Sequence, residues 1–468
     1  MAIVIDFETR SLCDLKEAGA HVYAAHPSTE IICMGYKIGD APVGMWRPGD
    51  APIDVTGHTV WAWGVVFERA IWERFFTPLP LEQWADIMAV AAYKAMPLGL
   101  DECAAVLGLT NQKSKAGAAL IRKYCKPISK KNQTLRPIPE EDQKAFEDYC
   151  SQDVGTEVEA LMTLGNLSAG ERKWWLLEQL INNRGITVDI PTVDTFIAVA
   201  EAEAVRVGEE LSALTDGAIT TAGQTSRIVQ WVEEREPGLI ADCQKGTIAN
   251  ATAATGEVGK LLALRAEGSK ASIKKLYAMR AGVNADNRAR GLMQYHGATT
   301  GREAGRRIQP QNLFRPAEDW LELGLGPDSL EGLTAEETSD FLRAIYDPGP
   351  TAAIASMMRN LLIAAPGKHL VAGDFSAVEG RVVAALAGEE RKLEAFRAVD
   401  RGEADDIYCM TASGIYGYPV RKKTHKLERQ VGKIAELACL GPETQVLTRD
   451  GYLDIVDVTD QHELWDGI

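Results

Sequence analysis

Two acidic residues stand two positions apart near the N-terminus, in the segment "IVIDFET". The residues around them are mostly β-branched or apolar, which predicts a buried strand whose side chains alternate with a period of two. Asp6 and Glu8 therefore leave the same face of that strand. Carboxylates so close repel each other unless a cation lies between them, and Mg²⁺ prefers such oxygen ligands. Taken alone, the triplet is equally compatible with solvated acids at an ordinary strand end.

Two later segments add residues of related chemistry. In "WAWGVVFERAIWE", Glu68 follows Phe67 shortly after a predicted strand. In "EDYCSQDVGTE", Tyr149 and Asp153 are four residues apart, so a helix would place both on one face. Each feature by itself is also compatible with ordinary surface residues.

Together and in this order, these segments resemble the DEDD-type 3′–5′ exonucleases of the tyrosine subclass. The resemblance implies two divalent ions, Mg²⁺ or Mn²⁺, and a tyrosine, Tyr149, that orients the attacking water. The implied metal ligands are Asp6, Glu8, Glu68 and Asp153. The chain departs from the family pattern at Gly64, where an asparagine is usual, and at Glu68, where aspartate is commoner.

The segment "VAGDFSAVEGRVVAALAG" predicts an apolar strand that ends at Asp374, a tight turn, and a helix that begins near Glu379 and Arg381. Alone it fits any strand–turn–helix unit. It resembles motif A of the family A, DNA polymerase I-like, DNA polymerases. The resemblance implies that Asp374 binds both catalytic metals, that Glu379 closes the sugar pocket against a ribose 2′-hydroxyl, and that Arg381 belongs to the DNA-binding residues.

Glycines, prolines and amides in "GATTGREAGRRIQPQNLFRP" predict an irregular functional loop. It resembles the palm loop with which the same family grips the primer–template, and Thr300 and Gly301 stand in matching places. The implied contacts to phosphates and minor-groove acceptors come from Arg302, Gln311 and Asn312.

A basic amphipathic helix is predicted from Lys426 to Ala438, with Arg429, Lys433 and Leu437 on one face. The segment resembles the fingers helix of the bacteriophage-type members of the family. The resemblance implies that Arg429 and Lys433 hold the triphosphate of the incoming deoxynucleotide. Leu437 stands where the family more often has an aromatic residue.

The pattern changes at Cys439. The segment "CLGPETQVLTRDGYLDIVDVTDQHELWDG" resembles the N-terminal splicing block of an intein, which implies that the Cys439 thiolate attacks the carbonyl of Ala438. A β-hairpin inserted in the fingers, with an ordinary buried thiol, is the alternative. The intein interpretation also predicts a missing C-terminal half that carries the rest of the polymerase and of the intein. That half would contain motif C with the second palm aspartate. Either a split gene or a truncated sequence would account for its absence.

Composition sets limits on the class of protein. With 468 residues, two to four domains are expected, and 46% hydrophobic and 25% charged residues are typical of a soluble globular protein. The sequence has no apolar run long enough for a membrane span and no secretory signal. The 8 cysteines form no CxxC pair, which favours reduced thiols in a cytoplasm, bacterial or phage-infected.

A net charge of −16 is unfavourable for binding nucleic acid. It is an average over the whole chain, however, whereas such binding depends on local patches of charge. From residue 268 to residue 316 there are about ten Lys or Arg, including Lys270, Lys274, Lys275, Arg280, Arg306 and Arg307. A second basic run lies near the end of the chain and consists of Arg421, Lys422, Lys423, Lys426, Arg429 and Lys433. Either run is also compatible with an ordinary solvated face.

These observations predict an α/β protein in four parts. The expected parts are a ribonuclease H-like exonuclease domain (1–165), a mainly helical thumb (166–290), a partial polymerase palm and fingers (291–438) and a short β-rich intein start (439–468). The acidic segment 318–340 is expected to be a surface excursion. The expected partners are primer–template DNA and deoxynucleoside triphosphates, with no membrane.

Two other functions remain open at this point. The chain could be a stand-alone exonuclease whose polymerase-like half only clamps DNA. It could also be a non-enzymatic DNA-binding factor with decayed sites, for which Gly64 and Leu437 are the supporting departures.

Overall fold

The computed structural model of the chain describes residues 2–110, 115–129, 131–251, 254–268, 273–438, 445–448 and 451–454. The chain forms two compact units, Met1–Leu370 and Val371–Ile468. The four domain boundaries expected from the sequence stay predictions.

A mixed five-stranded sheet forms the start of the larger unit. Its strands are β1 (Ala2–Arg10), β2 (Glu30–Ile38), β3 (Gly44–Trp46), β4 (Thr59–Ala62) and β5 (Trp84–Asp86), in the order β3-β2-β1-β4-β5. Strand β1 pairs antiparallel with β2 and parallel with β4. The β1–β2 register shifts between Glu8 and Thr9. An irregularity of this kind in strand pairing can change the direction in which a side chain points, and here it lies next to Glu8, a candidate metal ligand.

Seven helices accompany this sheet: α1 (Leu15–Ala18), α2 (Ala20–Ala25), α3 (Val66–Phe75), α4 (Ile87–Tyr93), α5 (Leu100–Leu107), α6 (Lys115–Tyr124) and α7 (Glu140–Leu164). The long helix α7 packs on β1 and β2 through Phe146, Cys150 and Val154, which are fully buried. Gly35 on β2 allows the close approach, because a Cβ there would lie 2.8 Å from Val154 Cγ2. The strand predicted around Asp6 and Glu8 and the helix predicted to carry Tyr149 and Asp153 are both present.

The next part of the chain is helical, as predicted, with α8 (Ala169–Arg184), α9 (Ile190–Leu214), α10 (Thr225–Glu233), α11 (Lys245–Asn250), α12 (Gly256–Gly268) and α13 (Lys274–Ala281). Helix α8 begins at Ser168, whose hydroxyl accepts the Glu171 N–H at 3.2 Å. Asp189 caps α9 in the same way through the Thr192 N–H. These caps satisfy amide donors that the first helical turn leaves unpaired.

Short strands and further helices complete the larger unit. Strands β6 (Ile186–Val188), β7 (Arg288–Ala289) and β10 (Leu362–Ile363) form a three-stranded sheet, and β8 (Met293–Gln294) pairs with β9 (Ala304–Gly305). The helices are α14 (Glu318–Leu323), α15 (Ala335–Ile345) and α16 (Pro350–Met357).

The acidic segment 318–340 is more than the surface excursion expected from its charge. Its apolar side chains Trp320 and Leu330 are buried, and they join a core that contains Phe196 of α9. The acids lie outward while the apolar residues between them pack inward, so the segment helps to hold α9 in place.

The smaller unit contains α17 (Val378–Ala387), α18 (Glu390–Asp400), α19 (Ile407–Tyr416) and α20 (Lys426–Ala438). A hairpin of β11 (Gln445–Thr448) and β12 (Gly451–Asp454) follows. The fingers helix has the predicted bounds. Cys439 lies outside the described residues, as do Lys270 and the end of the intein-like segment.

The strand predicted before Asp374 is absent. Residues 364–377 form no regular helix or strand, and Val371 and Phe375 are 95% and 82% exposed. An apolar run forms a strand only where a neighbouring strand satisfies its amides and covers its side chains, and no described residue pairs with it. The tight turn and the helix that begins at Val378 agree with the sequence.

None of the helices that the structure describes is long and apolar enough to cross a membrane. All seven cysteines in the described part of the chain are free thiols, as expected from their scattered spacing.

Gly432 on α20 lets this helix approach α19. A Cβ at this position would lie 2.1 Å from the Tyr408 carbonyl oxygen and 2.9 Å from Ala412 Cβ. We expect Gly432→Ala to destabilise the protein by about 1–3 kcal/mol through overpacking, measured by urea denaturation. Gly414→Ala on α19 is the control, because its Cβ meets nothing within 4 Å. The control should stabilise by about 0.5–1 kcal/mol, and a similar gain for Gly432→Ala would contradict the packing described.

Candidate active site

Three of the predicted ligands come together at the β1–α7 junction. One carboxylate oxygen each of Asp6, Glu8 and Asp153 lies within 4.8 Å of the others. Strand β1 supplies the first two residues from one face, and α7 supplies the third. Glu8 and Asp153 are only 8% and 4% exposed. Charges of one sign are thus held close together where water solvates them poorly.

Glu68 lies at the edge of this cluster rather than in it. It is in the first turn of α3, is 5% exposed, and lines the same cavity of about 580 Å³ as the other acids and Tyr149. Its Oε2 accepts no hydrogen bond from the described part of the chain. Burial, and then the charge of Asp6, raises the pKa of Glu68 well above its usual range.

The donor set fits a divalent cation. It consists of carboxylate oxygens, which suit the hard ions Mg²⁺ and Mn²⁺ rather than ions that prefer sulfur or nitrogen. The unsatisfied Glu68 Oε2 is an oxygen that such an ion would satisfy. The residues present therefore match the metal site implied by the sequence, although their role as ligands stays a prediction.

Tyr149 lies beside the carboxylates on the buried face of α7. Gly117 of α6 packs against its ring, and a Cβ there would come within 2.3 Å of a ring carbon. Burial, and then the charges of Asp153 and Glu8, raises the pKa of the Tyr149 hydroxyl above its usual value. The phenol is therefore protonated at neutral pH, and it has an O–H to donate.

Cys150 also supports Asp6. Its thiol donates to the Asp6 carbonyl oxygen at 3.3 Å and lies 3.4 Å from Asp6 Oδ2, while the Gly35 N–H donates to its sulfur at 3.1 Å. A hydrogen bond with Cys33, and then burial, raises the pKa of the Cys150 thiol. The sulfur is thus a neutral donor, which suits a neighbour of an acidic cluster.

Two buried acids that the sequence analysis missed lie behind this site. Asp86 accepts the Gly64 N–H at 3.1 Å and caps α4 through the Met88 N–H at 2.9 Å. Glu157 lies one turn after Asp153 on α7 and is 2% exposed. The spacing of four from Asp153 was visible in the sequence, but an acid at helical spacing is usually a surface residue.

The predicted DNA-binding residues of the palm loop are on the surface of the larger unit. Arg302, Gln311 and Asn312 are exposed. Gln311 also lines a second cavity of about 890 Å³, together with Lys368 and His369. Their proposed contacts with nucleic acid stay predictions.

Several cations of the basic stretch are used to hold the fold instead. Arg307 is half-buried and donates to the carbonyl oxygens of Ala18 and Arg290, and so ties the loop to helix α1. Lys275 donates to the Arg307 carbonyl oxygen at 3.1 Å, and Arg280 pairs with Asp194 at 2.7 Å. The count of basic residues therefore overestimates the charge that is available for phosphates.

In the smaller unit, Asp374 and Glu379 are exposed. Arg381 forms two hydrogen bonds of 2.7 Å with Asp400 and lies over the Phe396 ring, so it links α17 to α18. This interaction gives Arg381 a structural role beside the predicted contact with DNA.

Helix α20 places Arg429 and Lys433 one turn apart. Arg429 Nε donates to Asp406 Oδ2 at 2.7 Å, and the guanidinium lies 5.3 Å from the Tyr408 ring centre. Lys433 is half-buried. The side chain of Leu437 lies outside what the structure describes.

Comparison with known proteins identifies one relative of this chain by sequence and one solved structure with a similar fold. A DNA polymerase of Bacillus phage SP02 is 34% identical over 457 residues, which cover 93% of this chain and 68% of the phage protein. The polymerase domain of Pol1 from M. smegmatis, in a complex with DNA primer–template and dNTP, has a TM-score of 0.51 and 13% identity. That match covers 92% of this chain and 66% of the other, just under two thirds of its length, and shows a similar fold. No protein-family model matches the chain.

Mn²⁺ should stabilise the protein through the carboxylate cluster. Buried carboxyls whose pKa is raised hold their protons more tightly in the folded state. Asp86 is one, with its pKa raised from 3.8 to about 6. The contribution of Asp86 to the stability of the metal-free protein is therefore greatest at low pH and is lost as the pH rises through 4 to 6. Mn²⁺ at about 100 times its Kd at pH 8 should add about 2.7 kcal/mol. The same Mn²⁺ concentration should add less at pH 5, because protons compete with the ion for the carboxylates.

The matched variants are Asp6→Asn and, as the control, Asp148→Asn on the exposed face of α7. Without metal, Asp6→Asn should raise the free energy of unfolding because it relieves repulsion, and it should remove the Mn²⁺ increment. The control should change neither quantity. An unchanged Mn²⁺ effect in Asp6→Asn would contradict the assignment of the cluster.

Proposed function

This chain belongs to the DNA polymerase family represented by the enzyme of Bacillus phage SP02, and we propose that it carries a 3′–5′ exonuclease and the first part of a family A polymerase. The observation that carries the proposal is the buried cluster of Asp6, Glu8 and Asp153 beside Tyr149. Like charges are gathered there at a cost in folding free energy, which a catalytic metal site explains.

The exonuclease proposal assigns a role to each side chain of the cluster. Asp6, Glu8, Asp153 and Glu68 would hold Mg²⁺ or Mn²⁺, which when bound activates water and stabilises charge on the phosphodiester. The protonated hydroxyl of Tyr149 donates a hydrogen bond that orients the attacking water. The cavity of about 580 Å³ is large enough for the terminal nucleotide of a single strand.

The polymerase proposal rests on family membership and on where the motif residues lie. The exposed Arg302, Gln311 and Asn312 would contact the primer–template, and Arg381 would contribute to DNA binding. The neighbouring structure with primer–template and dNTP has a similar fold. Such contacts with phosphates depend strongly on salt.

The nucleotide site is proposed in the smaller unit. Asp374 would bind the catalytic metals, and Glu379 would exclude ribose from the sugar pocket. Arg429 and Lys433 would hold the triphosphate of the deoxynucleotide, for which Arg429 must exchange its partner Asp406. These activities would act on replicating DNA in the cytoplasm of a bacterium, including one infected by a phage.

We further propose that a C-terminal polypeptide completes the polymerase. The SP02 relative has about a third of its length outside the match. Apolar side chains of the segment around motif A are exposed, among them Val371, Phe375 and Leu386. Such a group of exposed apolar residues favours burial against another polypeptide.

The intein proposal concerns the junction between Ala438 and Cys439. Cys439 would attack the Ala438 carbonyl and convert the amide into a thioester. The described support is the hairpin of β11 and β12, in which Gln445 pairs with Asp454. A hairpin inserted in the fingers has the same backbone, so chemistry must distinguish the two.

A stand-alone exonuclease is the second candidate function. It is favoured by one observation, that the metal-like carboxylate cluster of the described residues lies in the exonuclease part, whereas Asp374 is exposed in an irregular segment. The two candidates share the nuclease chemistry and differ in whether a completed chain extends primers.

Asp6→Ala should lower trimming of a single-stranded 3′ end by more than about 100-fold, because one of the proposed metal ligands is lost. Tyr149→Phe should retain more activity than Asp6→Ala, since the ligands remain. The measurement is release of single nucleotides from a labelled strand with Mg²⁺ or Mn²⁺. Asp148→Asn is again the control, and trimming by Asp6→Ala at the parent rate would overturn the nuclease proposal.

Polymerisation and splicing are tested together. The chain is co-expressed with the remaining third of the SP02 polymerase preceded by the C-terminal segment of a split intein. The expected result is one ligated polypeptide that extends a primer, whereas the chain alone does not. Cys439→Ala should give no ligated product. Ligation in that variant would end the intein proposal, and primer extension by the chain alone would end the proposed need for a C-terminal polypeptide.

A further inference from the structure

We propose that the outward face of helix α8, together with the cavity beside it, is the surface on which the C-terminal polypeptide docks. The inference rests on the proposal that such a polypeptide completes the polymerase, and it names where on the larger unit that partner binds. The occupant is a folded polypeptide whose contact surface has an apolar centre and an acidic rim.

Helix α8 exposes a group of large apolar side chains. Trp174, Leu177, Leu180 and Ile181 are between 45% and 62% exposed, and together they form what we call the α8 apolar stripe. Trp174, Leu177 and Ile181 recur at i, i+3 and i+7, which places them along one side of the helix. Single apolar residues are normal on a protein surface, whereas a continuous group of this kind marks an interaction site.

The opposite face of α8 is fixed to the core, largely through polar groups. Trp175, Glu178, Gln179 and Asn182 are buried there. Gln179 Nε2 donates to Glu178 Oε2 at 2.7 Å. Asn182 Nδ2 donates to the Met293 carbonyl oxygen of β8, and the Met293 N–H donates to Asn182 Oδ1, both at 2.9 Å. Since these bonds fix the rotation of the helix about its axis, the stripe cannot turn inward.

The stripe continues into the cavity of about 890 Å³ that Gln311 also lines. Ile181 belongs to both, and Ile363 and Leu370, which are exposed, line the cavity as well. Strand β10, which carries Ile363, is at the end of its three-stranded sheet and pairs with β6 alone among the described strands. A polypeptide can therefore fill the cavity with apolar side chains and add a strand beside β10.

The rim of this surface is basic. Lys173 and Arg184 flank the stripe on α8, and Lys368 lines the cavity; all three side chains are exposed. A symmetric contact between two copies of this chain would bring these cations close to one another, so repulsion disfavours a second copy. Acids on the rim of a partner would be attracted instead. Phosphates of DNA would pair with the cations but would not bury Leu177 or Ile181.

The part of the SP02 relative that lies outside the match has a suitable size for this surface. It is about a third of that protein, which is enough for a domain of its own. Leu370 is the last residue of the larger unit, and the exposed apolar residues Val371 and Phe375 follow it. The chain thus passes from this surface into the segment that the same polypeptide is proposed to cover.

Co-purification tests the inference. The tagged full chain is co-expressed with the part of the SP02 polymerase outside the match, and the partner retained per chain is measured. Leu177→Glu and Ile181→Glu should each lower it at least about tenfold, because a charge would be buried among apolar groups. Ile181→Leu should stay within about threefold of the parent, because the apolar surface remains. Since the substituted side chains are exposed, circular dichroism should show the parent fold in all three variants.

Val205→Glu is the matched control. Val205 is also an exposed apolar residue of a helix, α9, but it belongs neither to the stripe nor to the lining of the cavity. This variant should retain the partner at the parent level. A benzophenone side chain placed at position 177 should crosslink to the partner under ultraviolet light, and one at position 205 should not.

Each other outcome has a distinct meaning. Retention of the partner at the parent level by both Leu177→Glu and Ile181→Glu would overturn the inference and leave the proposed C-terminal polypeptide intact. A crosslink from position 177 to a second copy of this chain or to DNA would also overturn it, since another occupant would then cover the stripe. If the parent chain retains no partner, the proposed polypeptide itself is wrong and the inference fails with it.

Discussion

Electrostatic repulsion among buried carboxylates is the constraint on which the first half of the structure depends. Asp6, Glu8 and Asp153 place oxygens within 4.8 Å of one another where water has little access. Charges of the same sign in such an environment raise the free energy of the folded state unless protons or a cation neutralise them. The packing of α7 on the sheet must therefore be strong enough to hold the acids together, and the assembled site is then ready for a divalent ion.

The surrounding structure supplies that strength through neutral or buried groups. Gly35 lets α7 approach β2, and the Cys150 thiol donates to Asp6 from the same helix. Asp86 accepts the Gly64 N–H in the turn before Glu68. None of these groups adds a positive charge beside the acids, which agrees with the proposal that the cluster binds a cation. On the other side, Arg307 ties the palm loop to helix α1, whose Glu17 lines the same cavity.

The sequence was sufficient where a periodic pattern met a partner inside the chain. Helix α20 has the predicted bounds, a strand carries Asp6 and Glu8 as predicted, and the i, i+4 spacing placed Tyr149 beside Asp153. It was insufficient where burial depends on distant residues. The apolar run before Asp374 has the composition of a strand, but no described segment pairs with it. Arg307 is part of a basic run in the sequence, but its guanidinium is an anchor within the fold.

The central claim is that the buried acids form one divalent-metal site. A crystal structure of the full chain grown with Mn²⁺, with data collected at the manganese edge, tests it directly. The account predicts an anomalous peak coordinated by Asp6, Glu8 and Asp153, with a Glu68 oxygen turned towards the ion. Data of good quality with no peak at the β1–α7 junction, or with these side chains turned away from one another, would contradict it.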